Sequence, residues 1–308
     1  MDLPVIRERA GSVLALALKR AGTLPDGITV DGFIAAATNV GDFDDYKVFP
    51  EQAHQIVKQV AAAGEEGAAR AFLRAAIAQS VINAVTGEHI KQLPPLVFAY
   101  HTRQLARISE DHELDSEWLN LGHDLFHKEF GIATFRLYAA GAQLVDRRCG
   151  VPRSYMFKDG VAKSVPHLAT MMKLGGFRPY FQIHTHSFML DLFNEPGWEA
   201  CYQGCVELYG LYPEVLGMFG ASWFYDPAVV QISPRLSYLQ STPLNNGAHA
   251  MYVQTGGDAI NNSLSTSPSR RKLYDEGNYM PKSYLLVWGK EEQRAWAART
   301  LPPTLPLA

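Results

Sequence analysis

The stretch PYFQIHTHSFMLDLFNEPGWEACY, residues 179 to 202, sets two histidines and several acids between an extended apolar run and a helix. His184 and His186 stand two apart, so on a strand both imidazoles face the same side. That spacing suits a chelating pair or a pair sharing acid–base work. It equally suits two hydrogen-bonded histidines that fix the turn out of a buried strand. A metal site needs a third ligand, for which Asp191, Glu195 and Asp226 are the candidates. A second cluster, GASWFYDP at 220 to 227, puts Ser222, Trp223, Phe224, Tyr225 and Asp226 at the end of another apolar run. Ligands of open α/β sheets collect beyond the carboxyl ends of parallel strands. His184, Trp223 and Asp226 are therefore expected to converge on one cavity. Trp223 and Phe224 would wall it, and Ser222, Tyr225 and Glu195 would contact a small-molecule substrate. The competing reading is aromatic core closed by an Asp-Pro turn.

Three further groups have a chemical and a plain reading. His123 and His127 are one helical turn apart in HDLFHKEF, as zinc ligands can be, but no glutamate base lies between them. A polar helix face explains them as well. NNSLSTSPSRR ends in Arg270 and Arg271 at a helix start. It could hold a phosphate or carboxylate, or simply be a capped loop. Cys201 and Cys205 share a helix face as a metal pair or as small buried side chains. With Cys149 they make three cysteines, too few for a disulfide framework, which fits a cytoplasmic protein.

The elements that must position these groups follow from periodicity. Residues 1 to 130 read as a helical N-terminal region, beginning with an amphipathic helix whose six-residue apolar run VLALAL is too short to span a membrane. Residues 131 to 295 change period. Two short β runs about Gly141 precede a helix ending at Gly175–Gly176. Strands at RPYFQIHTH, EVLGMFGASWFYD, AHAMYVQTGG and SYLLVW then alternate with helices starting near Pro196, Ser233 and Ser267. Residues 296 to 308 read as a loose tail. The fold class is α/β, a mixed sheet flanked by helices after a helical region. With 47% hydrophobic and 19% charged residues and a net charge of −3, the 308-residue chain has no global basic field for nucleic acid.

The segment VLGMFGASWFYDPAVVQISPRLSYLQSTPLNNGAHAMYVQ resembles the C-terminal half of GNAT acyltransferases, where a helix of the form A-x-x-L-Y-x-x-x-G-F follows a strand. Leu236, Tyr238 and Gly247 supply a stretched version. Leu273, Tyr274 and Gly277 supply another just before the last strand. The resemblance implies a mixed sheet flanked by helices and acyl transfer from a thioester to an amine. It implies that His184 or His186 acts as base, Asp226 orients it, and Tyr238 (or Tyr274) protonates the leaving thiolate. The family's R/Q-x-x-G-x-G/A pyrophosphate loop is missing. DLFNEPGWEA stands in its place, with Asp191, Glu195 and Glu199 repelling phosphate and Pro196 removing an N–H. The donor expected is acyl-CoA or, given that loop, an acyl thioester on a carrier protein. Two other classes stay open. One is a divalent-metal-dependent hydrolase or oxygenase using His184, His186 and Asp191. The other is a non-catalytic binding module of the same fold.

Overall fold

The computed structural model describes residues 2–41 and 43–301, the side chain of Arg148 apart. The described residues fall into two compact units. One lies within Met1–Ala140 with Leu144–Arg148, the other within Gly141–Gln143 with Cys149–Pro303.

The first unit is built from six helices: α1 (Leu3–Ala21), α2 (Val30–Thr38), α3 (Glu51–Ala63), α4 (Ala68–Thr86), α5 (Pro95–Glu110) and α6 (Asp124–Ala133). Strand β1 (Leu137–Ala140) follows, and β2 (Gln143–Cys149) comes after the turn at Gly141. Helix α4 is the central one, because its alanines, Phe72, Ile77 and Val81 are buried nearly all round. Arg74 on that helix is 1% exposed. It donates to the Ile108 carbonyl at 2.7 Å and to the Asp111 carbonyl, closing the C-terminal end of α5.

The second unit carries α7 (Val161–Lys173), β3 (Tyr180–His184), α8 (Glu195–Leu208), β4 (Gly217–Ser222), α9 (Ala228–Ile232), α10 (Tyr238–Leu244), β5 (His249–Thr255), α11 (Asp258–Leu264), α12 (Pro268–Asp275), β6 (Lys282–Gly289) and α13 (Lys290–Ala297). Its strands run in the order β3-β4-β6-β5. β3 and β4 are parallel, joined through α8, while β6 is antiparallel to both β4 and β5. The fold is thus mixed α/β. Alternation along the strands divides the core. Tyr180, Phe219, Leu285 and Val287 meet Met156, Met171, Met251 and Val253 in one cluster. Phe181 stacks on Tyr209 at 5.2 Å, and Trp288 meets Tyr202 of α8 at 5.3 Å and Trp296 of α13 at 5.3 Å.

Helix runs to Ala297 within the segment expected as a tail, with Trp296 5% exposed, and residues 302–308 lie outside the described residues. The extended readings at two strand ends are corrected. β3 stops at His184, before His186, and β4 stops at Ser222, before Trp223. Two glycines seat the turn before β2 against the start of α8. A Cβ at Gly141 (φ +51°) would fall 2.1 Å from the Gly197 carbonyl oxygen, which accepts from Ala142 N at 2.9 Å. A Cβ at Gly197 would lie 2.0 Å from the Leu192 oxygen.

Candidate functional site

Parallel β3 and β4 are registered at two positions, Phe181↔Met218 and Gln182↔Phe219, although both strands continue. On its other side β4 pairs with β6 along its whole length, from Gly217 to Ser222. Beyond the last registered pair of β3 and β4 lies a cavity of about 130 Å³. It is lined by Gln182, His184 and Thr185 from one strand end and Gly220 and Ser222 from the other, with Trp198 and Tyr225. At roughly 30 Å³ per water it holds about four waters, room for a reacting group rather than a whole ligand. Gly220 keeps the strands close here, since a Cβ would stand 2.8 Å from Ile183 Cγ1 and 3.4 Å from the Tyr225 hydroxyl.

His184 is the only ionisable side chain among the cavity's polar wall residues other than the phenol Tyr225. The rest of the wall is amide, hydroxyl and indole. Thr185 donates to Gln143 Oε1 at 3.1 Å, fixing that amide at the rim. Two donors that line the cavity have no protein acceptor among the described residues: Trp198 Nε1 and the Tyr225 hydroxyl. Trp198 and Tyr225 are each 1% exposed. Burial pushes the Tyr225 phenol well above its ordinary pKa, so it stays protonated. A buried donor without an acceptor is costly, and a bound carbonyl oxygen would satisfy it.

His186 has a different place. It is fully buried, and its Nδ1 accepts from Phe188 N at 3.0 Å, capping the 3-10 turn Ser187–Leu192. The two histidines therefore do not line one cavity, because the strand that would have kept them on one face ends between them. Asp191 and Glu195 are exposed. Among the described residues no three His, Cys, Asp or Glu side chains form a group able to hold a metal. Cys149, Cys201 and Cys205 are buried free thiols.

After Ser222 the chain winds into a 3-10 turn, Trp223–Tyr225. Three residues per turn replace the strand's alternation and send successive side chains different ways. Tyr225 and Phe224 reach the cavity, whereas Trp223 and Asp226 do not line it. The Trp223 ring lies 4.4 Å from the Arg270 guanidinium. Asp226 accepts from Ala228 N at 3.1 Å; burial raises its pKa, offset in part by that bond and by Lys282. The expected meeting of His184, Trp223 and Asp226 is replaced by one of His184, Ser222, Tyr225 and Trp198. Tyr238 opens α10, between β4 and β5, whereas Tyr274 is on α12, between β5 and β6. The Tyr238 hydroxyl is buried without a protein acceptor among the described residues. Burial, then Glu195, pushes its pKa up to about 12.

Sequence reasoning missed Trp198 and Gln182. The signal for Trp198 was its position two residues after Pro196, on the first turn of the helix that follows the strand end. The start of α8 is closed by its own chain: Asn194 Oδ1 accepts from Gly197 N at 2.9 Å, and Trp198 N donates to the Asn194 carbonyl at 3.0 Å. His123 likewise caps α6 by accepting from Leu125 N at 3.1 Å, and His127 Nε2 bonds the Leu121 carbonyl at 2.7 Å. Among the described residues no helix is long and apolar enough to cross a membrane.

No family model matches the chain. No curated protein matches it either. A solved structure described as the crystal structure of an acyltransferase in complex with decanoyl-CoA is similar to it, with 14% identity over 94% of this chain and 99% of that chain and a TM-score of 0.45.

Proposed function

We propose that the second unit transfers an acyl group from a thioester to an amine, with the reacting carbonyl in the cavity between β3 and β4. The observation that carries this reading is the parallel pair whose registered pairing stops at Gln182↔Phe219 while His184 and Ser222 line the space beyond. The β4 edge from Gly220 to Ser222, which has no registered partner on β3, suits an extended, amide-containing arm, which can add to it as a strand would. The arm of a pantetheine thioester has that chemistry.

In this reading the amine nitrogen attacks the thioester carbon, and the C–S bond breaks to release a thiolate. His184 takes the proton that the attacking nitrogen loses, and the thiolate leaves to be protonated. The carbonyl oxygen, negative in the tetrahedral intermediate, accepts from Trp198 Nε1 and the Tyr225 hydroxyl. These donors are buried and lack protein acceptors among the described residues, so they need no reorganisation when the charge develops. Asp226 acts on the fold rather than on His184, and Tyr238 supports α10 next to the start of α8. The donor carrier, CoA or a carrier protein, is left to the assay.

The test is thiol release from decanoyl thioesters of CoA, of N-acetylcysteamine and of a carrier protein, each with a panel of primary amines. Amine-dependent release that disappears in His184→Ala and falls about 100-fold in Tyr225→Phe supports the reading. Thioester binding without release with every amine supports a non-catalytic module instead. Release unaffected by His184→Ala overturns the assignment of the base.

A further inference from the structure

A second cleft of the same unit, of about 520 Å³, is lined by Ser233, Arg235, Thr266, Ser267, Ser269 and Arg270, with neighbouring Ile232, Pro234 and Pro268. Arg270 is 2% exposed, yet none of its interactions is with a carboxylate. Its Nε donates to the Ser263 carbonyl at 2.7 Å, and its Nη1 donates to the Ser233 hydroxyl at 3.1 Å. Its face rests 4.4 Å from the Trp223 ring. Nη2 has no protein acceptor among the described residues. Of the side chains that act on Arg270 electrostatically, the Tyr279 phenol, its pKa pushed up by burial to about 12 and so uncharged, comes first, and the exposed cation Arg235 second. A buried guanidinium with neutral partners and a like charge for a neighbour lacks its counter-ion.

The start of α12 opens on the same cleft. Ser267 caps it by accepting from Arg270 N at 3.4 Å, and the Ser267 and Ser269 hydroxyls are 3.1 Å apart. Pro268 has no N–H, and the Ser269 N–H, in the first turn, has no intrahelical acceptor. Helix start, two guanidinium groups and two hydroxyls thus meet with no acid between them. From this arrangement we infer that the cleft binds a phosphate monoester, held by Arg270 Nη2, Arg235 and the Ser269 N–H and hydroxyl. Phosphate fits better than carboxylate because three or more donors approach from different directions, and a phosphoryl group offers three terminal oxygens to meet them. The inference stands apart from the acyl-transfer reading, since none of these residues lines the cavity at His184.

Inorganic phosphate, methyl phosphate and dimethyl phosphate are titrated into the full chain at constant ionic strength, with chloride as control. Binding is read by calorimetry and by ³¹P line broadening. Phosphate and methyl phosphate are expected to bind with affinity on the order of 1 mM, and dimethyl phosphate at least about tenfold more weakly. Ser269→Glu, at an exposed position, supplies a carboxylate in the cleft and should weaken phosphate about tenfold or more while keeping the melting temperature. Arg235→Gln, also exposed, should weaken it several-fold. Arg270→Gln should abolish binding; if that variant does not fold, the other two still decide. No phosphate binding in the wild-type chain, or equal binding in Ser269→Glu, or equal affinity for dimethyl phosphate, overturns the inference.

Discussion

In the proposed reaction His184 is the reacting group and His186 a structural one, and replacing each in turn exposes the difference. In His186→Ala the imidazole is lost from a site with no solvent exposure, and Phe188 N loses its acceptor at 3.0 Å. Loss of a cap costs about 0.5–2 kcal/mol, and the void left by a fully buried ring adds a packing cost of about 1–3 kcal/mol. Together about 1.5–5 kcal/mol is expected. For a domain of this size each kcal/mol moves the melting temperature by about 2–4 °C, giving a fall of roughly 3–20 °C. His186→Asn should recover the cap's share of the loss, because an asparagine oxygen accepts the same N–H from nearly the position of Nδ1. His184 is half-buried on the cavity wall, and His184→Ala should shift melting by no more than about 2 °C while abolishing amine-dependent thiol release. The assay is thermal unfolding of the three variants beside the thioester assay. Equal destabilisation by both alanine changes, or no recovery in His186→Asn, would refute the division of roles.

Other expectations follow from the same geometry. Gly220→Ala drives a methyl to within 2.8 Å of Ile183 Cγ1, so it should cost about 1–3 kcal/mol in a denaturant titration and narrow the cavity enough to suppress thioester binding. A variant as stable and as active as wild type would show that the strands part freely. Tyr225→Phe removes a buried hydroxyl that has no protein acceptor, so stability should hold or rise by up to about 1 kcal/mol while turnover falls. A clear loss of stability would point to a structural role. His101 is fully buried, and burial, with the nearby His89, lowers its pKa to about 3. Below its ordinary value of 6.5 the unfolded chain binds a proton that the folded chain refuses, so stability falls as pH drops from 6.5 toward 3 and levels off below that. Between pH 6.5 and 5 the loss should be about 2 kcal/mol by urea unfolding, and His101→Phe should flatten that slope.

Much of the second unit could be read directly from local chemistry. The apolar runs in YFQIH and YLLVW mark strands, Pro196 and Ser267 mark helix starts, and Gly141 marks the turn, because each depends on neighbours within a few residues. The chemistry at 184 and at 220 to 226 was also legible as residue types at two strand ends. Which of those side chains meet was not. His186 has the right type and spacing for a partner of His184. It leaves the site because β3 stops at His184 and His186 caps the 3-10 turn that follows, where it is fully buried. Trp223 and Asp226 turn away from the cavity because a 3-10 turn replaces the strand after Ser222, and Tyr225 turns in for the same reason. Trp198 reaches the cavity only because α8 packs close to the turn before β2, through the contact of Gly141 with Gly197. Periodicity is a local property that sequence determines by itself. The direction of a side chain at the end of an element depends on long-range pairing, and only the tertiary structure decides it.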